Sequence, residues 1–402
     1  MTGISQVQRG GMNRRGLVGL VVGAMVILGL VGCDTAEPVP DFSTVLNLPS
    51  RPYNYANPPL PAHFRAAAVL AMDNTPGDNP TTNVGATLGR VLFYDPQLSR
   101  NGTISCASCH RQELGFSDPN PLSVGFQGGQ TRRNSPGLAN SRFYERGRFF
   151  RDERAATLED QVVMPIQDPI EMGMDMDSLV ARLSSHDHYL YLFKEAFGTS
   201  EVTGDGISRA LAQFVRSIVA FDSPYDEGLS TMGTARVPFP NFTAQENLGK
   251  GIFMGRGLCS SCHLKNVPLT DPLGNTAVFF AEPSNIGLDR DGYEADLGLE
   301  EETGLVADRS KFKAPSLRNI AITAPYMHDG RMVTLAEVID HYNEGVLMHP
   351  SIDERLVADG APIRLDLTTE EKAALVAFLA TLTDRSMLTD ERYSDPFVDS
   401  GN

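Results

Sequence analysis

The chain has 402 residues, with 34 Lys and Arg against 50 Asp and Glu, a formal charge of −16, five cysteines and no tryptophan. So acidic a chain is a poor partner for nucleic acid or anionic lipid surfaces and would attract a basic protein. Its length exceeds what one hydrophobic core usually serves, so two domains are expected.

Arg14 and Arg15 lead into an apolar run, Leu17 to Leu30, that ends Leu30-Val31-Gly32-Cys33. The run suits the apolar region of a signal peptide better than the ~20 residues of a spanning helix. Its Leu-x-Gly-Cys ending is similar to a lipoprotein signal. Residues 1–32 are therefore expected to be removed, leaving Cys33 to carry a lipid that anchors the protein to a membrane; an uncleaved anchor is the alternative. Either way the rest of the chain is expected outside the cytoplasm, in the periplasm or its equivalent. Seven prolines between Asp34 and Pro61 make residues 33–61 read as a tether.

Next comes a hexapeptide that recurs. Leu88-Gly89-Arg90-Val91-Leu92-Phe93 precedes Cys106-Ala107-Ser108-Cys109-His110, and Leu248-Gly249-Lys250-Gly251-Ile252-Phe253 precedes Cys259-Ser260-Ser261-Cys262-His263. In a Cys-x-x-Cys-His motif the two thiols are spaced to form thioethers with the vinyl groups of one haem, and the histidine supplies an iron ligand. The residues thus predict two covalently bound haem c, with His110 and His263 on the irons. Zinc would need a second Cys or His pair close by, and a thioredoxin-like pair would need a surrounding βαβ pattern; neither motif has one. With Cys33 as the fifth cysteine, nothing remains for a disulfide.

Helical periodicity continues through the body. Ile207, Leu211, Phe214, Val215 and Ile218 share one spacing, as do Leu375, Phe378, Leu379 and Leu382. Capping boxes at Thr243 with Glu246, Thr334 with Glu337 and Thr368 with Glu371 mark three helix starts. Asp222 to Asn241 reads as a linker. Lys265 to Lys311 reads as loop, and Asp289-Arg290-Asp291-Gly292 lacks the glycine and glutamate spacing of an EF-hand. The expected fold is all-α: two cytochrome c-like haem domains in tandem with long connecting loops, at 62–235 and 236–402.

A haem iron bound by one histidine has a sixth position whose occupant decides the chemistry. After Thr334, residues Leu335, Val338, Ile339 and Tyr342 fall on one helix face, so Tyr342 points towards the core and His341 is turned about 100° away. A tyrosine on an apolar stripe is more often core than ligand, and Met348 and His349 follow closely enough to compete.

The run Ala314-Pro315-Ser316-Leu317-Arg318-Asn319-Ile320-Ala321-Ile322-Thr323-Ala324-Pro325-Tyr326-Met327-His328-Asp329-Gly330, together with the two haem motifs, resembles the bacterial di-haem cytochrome c peroxidase and MauG family. The resemblance extends from about Leu88 to the last helix. It implies that Tyr342 is the sixth ligand of the carboxy-terminal iron, where the family's peroxidases usually carry Met and MauG carries Tyr. It places the peroxide site at the amino-terminal haem and matches Gln161, Pro165, Glu171 and Met172 to the family's distal pattern. Glu171 would move a proton between the peroxide oxygens and Gln161 would position the oxidant. Taken alone, Glu171 reads as a solvated loop carboxylate. The resemblance also implies one calcium ion, held by the Asn134 side chain and the carbonyls of Thr323 and Pro325.

Two departures stand out. Where many family peroxidases close the amino-terminal haem with a loop histidine, this chain has Phe126, which cannot ligate iron, so the site should stand open. Where the family usually places Trp between the haems, in a Phe-Trp-Asp-Gly-Arg-Ala run, this chain reads Phe150-Arg151-Asp152-Glu153-Arg154-Ala155. The resemblance implies a di-haem c-type peroxidase that reduces hydrogen peroxide to water, fed through the carboxy-terminal haem by a small cytochrome c or copper protein. Its alternatives are MauG-like oxidative modification of a partner protein through a high-valent di-haem state, and a non-enzymatic di-haem electron carrier.

Overall fold

Gly89 and Gly249 occupy matching places in the repeated hexapeptide, and at each of them two helices touch. The computed structural model describes residues 41–264, 276–292 and 294–398, all within one compact unit that begins at Asp41. In it the helix Asn83–Tyr94 packs on Gly204–Ser217, and the helix Ala244–Met254 packs on Thr369–Ala380. A Cβ on Gly89 would lie 2.0 Å from the Ala210 carbonyl oxygen and 2.8 Å from Phe214 Cβ; one on Gly249 would lie 1.8 Å from the Ala374 oxygen and 2.9 Å from Phe378 Cβ. Four residues on, Phe93 meets Phe214 with ring centroids 5.2 Å apart and Phe253 meets Phe378 at 5.1 Å. The sequence repeat is thus a repeated helix crossing.

Gly249→Ala is therefore expected to destabilise the protein by about 1–3 kcal/mol, the usual cost of overpacking. The neighbouring Gly251→Ala should do no harm, since a Cβ there meets nothing within 4 Å. Melting temperatures of the two holo-variants check this.

Helix starts follow the capping rule. Thr243, Thr334 and Thr368 each exchange both capping-box bonds with the glutamate three residues on. The described chain is helix-dominated, with two small antiparallel sheets: Ala281–Ser284 with Phe312–Ala314, and Val357–Ala358 with Ala361–Pro362. One hydrophobic cluster gathers the helices around the first motif, and a second gathers those around the other.

Three expectations need correction or limits. The proline-rich stretch is not a free tether over its described part: Leu46 and Tyr55 are buried in the first cluster, Leu46 bridges to Phe397, and the Tyr55 hydroxyl donates to the Arg392 carbonyl at 2.6 Å. Nor is Asp222 to Asn241 merely a linker, because Pro224–Met232 is helical, with Ser223 and Asp226 forming its capping box. Asp226 also accepts two bonds from the Arg318 guanidinium, at 2.6 and 2.8 Å. Finally, the boundary at residue 236 does not divide the clusters, since Tyr225, Leu229 and Ala235 before it belong to the second and Met387 and Tyr393 beyond it return to the first. The expected signal segment and Cys33 lie outside the described residues.

Candidate active site

The first motif is a single helical turn, Cys106–Cys109, that sets both thiols on one side with His110 at its end. His110 Nδ1 lies 2.8 Å from the Phe116 carbonyl oxygen. The carbonyl can only accept, so Nδ1 carries the proton and Nε2 is left with the lone pair an iron needs. Burial lowers the histidine's pKa and keeps the ring neutral. In the second motif, Cys259–His263, the His263 Nδ1 faces the Phe279 carbonyl at 3.4 Å, and burial holds its pKa down at about 4. The four cysteines are free thiols. Burial pushes Cys106 up to about 12, Cys109 to about 11 and Cys259 to about 12. A thioredoxin-like redox pair shows the opposite, a depressed thiol.

One cavity is lined by Cys106, Cys109 and His110 together with Gln161, Pro165, Glu171 and Met172. Gln161 and Pro165 lie on the helix Leu158–Gln167, and the proline ring cannot donate to the Gln161 carbonyl one turn back. Glu171 lies beyond that helix in a turn stapled by the Asp168 carboxylate, which accepts from the amides of Ile170 at 2.7 Å and Glu171 at 3.0 Å. The side chain has no salt bridge among the described residues. Burial first, and then the Asp168 charge, push its carboxyl up to about 7, against the pull of Arg154. It is therefore not the solvated loop carboxylate that sequence alone suggests.

Phe126 belongs to the loop zipped against this turn. Its amide donates to the Glu171 carbonyl at 2.9 Å, and a Cβ on Gly125 would lie 1.7 Å from the Ile170 oxygen, so only glycine fits there. The Phe126 ring packs against Gly173 and is not among the residues lining the cavity.

The larger cavity brings Cys259, Cys262 and His263 together with Leu335, Val338, Ile339 and Tyr342. The helix Leu335–Asp340 widens into a π turn at His341–Gly345, a feature frequent at functional sites. Tyr342 faces the cavity, while His341 Nε2 lies 2.9 Å from the Ile286 carbonyl. Met348 is 50% exposed and does not line the cavity. His349 does not line it either. Its Nδ1 accepts from the Ser351 amide at 3.1 Å, which leaves the proton on Nε2, 2.5 Å from Glu294. That tautomer also opposes a metal ion at the cluster of Asp291, Glu294 and His349, since Nε2 would have to lose its proton.

Asn134, Thr323 and Pro325, the three expected calcium donors, are among the residues that line the larger cavity. Arg151 lines it beside them, and its Nη2 donates to Asn134 Oδ1 at 3.0 Å. Lys313, which sequence reasoning missed, lies there too, with Nζ 4.3 Å from the centre of the Tyr144 ring and 4.8 Å from that of Phe149. Burial brings its pKa down to about 7. Nothing in the local spacing marked Lys313, whereas Arg151 was visible as the residue standing where the family has Trp.

Both cavities fit haem by their own chemistry: apolar walls, two free thiols and one neutral, oriented imidazole each. The family profile described as di-haem cytochrome c peroxidase matches residues 83–233. The chain is 35% identical over 311 residues to a methylamine utilization protein MauG of Methylorubrum extorquens, covering 76% of this chain and 80% of that protein. It is 33% identical over 332 residues to a cytochrome c551 peroxidase of Nitrosomonas europaea, covering 81% and 88%. Among solved structures, a MauG-like protein associated with microbial copper homeostasis superposes with a TM-score of 0.67 at 37% identity, over 87% of this chain and 98% of that one. The di-haem peroxidase BthA of Burkholderia thailandensis shares the fold, with a TM-score of 0.62 at 24% identity over 79% and 91%. The chain belongs to the di-haem cytochrome c peroxidase and MauG family. It is therefore an oxidoreductase, and membership implies two haem c.

Proposed function

We propose that the chain reduces hydrogen peroxide to water at the His110 cavity, with electrons relayed through the His263 cavity from a small cytochrome c or copper protein. Cys106, Cys109 and His110 would hold one haem; Cys259, Cys262, His263 and Tyr342 would hold the other. When bound, an iron with one open position supplies the redox chemistry for peroxide. The observation that carries the reading is the convergence of Glu171, Gln161 and His110 on one cavity. Poised near neutrality, Glu171 takes the proton from the arriving peroxide and returns it to the departing oxygen, while the Gln161 amide orients the oxidant. Two electrons and two protons then convert one peroxide into two waters.

Mixing the ferric holo-protein with stoichiometric peroxide, without prior reduction, tests this: the Soret band should change, and an unchanged band would sink the reading. Met172 is the one thioether in the cavity lining, so a six-coordinate electron carrier would have to close its iron there. Met172→Leu is expected to leave the peroxide response intact; a response that appears only in that variant would establish the carrier instead.

A second reading is favoured by Tyr342 in the larger cavity and by the MauG relatives: oxidative modification of a partner protein. Peroxide-dependent oxidation of a reduced small redox protein, against a mass change in a co-purified partner, separates the two. We also propose that the protein is extracytoplasmic and lipid-anchored at Cys33; loss of membrane fractionation in Cys33→Ser checks it.

A further inference from the structure

We infer that the Arg151 guanidinium is the resident cation between the two haem cavities, holding the Asn134 oxygen that a calcium ion would need. The segment 134–138 is the wall the cavities share: Asn134, Pro136 and Gly137 line the larger, and Ser135 and Leu138 the smaller. Asn134 is buried and its amide orientation is fixed. Nδ2 points at the Pro121 and Asn120 carbonyls, at 3.3 and 3.4 Å, and the backbone amide donates to the His328 carbonyl at 2.7 Å. Oδ1 therefore faces Arg151, which donates to it through Nη2 at 3.0 Å. Arg151 is itself held in place, because its carbonyl accepts from the Lys313 amide at 2.7 Å.

The remaining donors suit calcium poorly. Calcium takes six to eight oxygens, carboxylates prominent among them. The neighbouring carboxylates are engaged: Asp152 and Asp296 pair with Arg133, and Asp329 with Arg331. An ion at Asn134 would rest on one amide and two carbonyl oxygens, all neutral, beside a guanidinium whose pKa burial brings down only to about 10, so that it is charged at neutral pH. The residue that displaces the family's tryptophan thus also displaces its metal.

Elemental analysis of the holo-protein tests this without reference to activity. After equilibration with excess calcium chloride and gel filtration, the wild type should retain almost no calcium relative to iron, and its melting temperature should be the same in calcium and in EGTA. Arg151→Gln, loaded with both haems, should retain about one calcium per two irons and melt higher with calcium than without. Arg151→Lys, which keeps the charge, should stay calcium-free. Stoichiometric calcium in the wild type, a wild-type melting temperature lowered by EGTA, or a folded Arg151→Gln that takes up none would each overturn the assignment.

Discussion

Glu171→Gln is expected to slow the reaction with peroxide by roughly 100- to 10,000-fold, the span usually supplied by one positioned acid–base group. Both haems should remain attached, because Glu171 touches neither motif's thiols nor the hydrogen bond that orients His110. Glutamine keeps the size of the side chain and removes only its proton chemistry. In the wild type the carboxyl titrates at about 7, so the rate of peroxide capture should rise with pH through that region; the variant should lose the step. Stability runs the other way. Between the ordinary value of 4.5 and the raised value of about 7, the native state binds a proton that the unfolded chain has released, so wild-type stability falls as pH rises across that window. Glu171→Gln should flatten both dependences. A variant with wild-type peroxide kinetics across the pH range would reject the role, and stopped-flow absorbance against pH is the measurement.

Tyr342→Phe should leave the His263 haem attached but abolish the low-spin signature of a His/Tyr iron and raise that haem's potential, on a scale where axial ligands act over ≈ 0.8 V. The phenyl ring fills the same space among Leu335, Val338 and Ile339, so packing is little changed and the ligand alone is lost. Resting-state magnetic resonance of the irons and a redox titration read the two effects. An unchanged spectrum would remove Tyr342 from the metal. His349→Ala serves as the control: it should leave the iron spectrum unaltered, since His349 is tied to Glu294 and Ser351 away from the cavity.

What was legible in the sequence is what local spacing encodes. Cys-x-x-Cys-His places two thiols and an imidazole within one helical turn, so the motif alone specifies its own geometry. The repeated hexapeptides likewise carried a glycine whose missing side chain admits a second helix. Tyr342 was half legible: periodicity put it on the inward face, but only the fold could show that Met348 and His349 leave that face after the π turn. Glu171 was legible only through the family pattern, because the burial that raises its pKa is made by the fold and nothing in its own neighbourhood announces it. Pro224–Met232 was misread because its glycine and proline suggested a break, although Ser223 and Asp226 already spelt a cap and proline is welcome in a first turn. Arg151 was seen as a missing tryptophan. Its positive charge acquires meaning only beside the Asn134 oxygen.

The return of the chain's end to the first cluster bears on the order of assembly. Phe116, whose carbonyl orients His110, packs edge-on against Tyr393 with centroids 6.2 Å apart, and the Tyr393 hydroxyl donates to the Ser217 carbonyl at 2.8 Å. The Arg90 guanidinium reaches the Glu391 carbonyl at 2.6 Å, and Gln112 bonds the carbonyls of Met387 and Asp390, both at 2.9 Å. These contacts join residues 176 to 301 positions apart, and the loop between them must close before any of them can form. During synthesis the first Cys-x-x-Cys-His emerges long before the segment that completes its surroundings. Until residues 387–393 have followed, the packing behind the Phe116 carbonyl that orients His110 is incomplete.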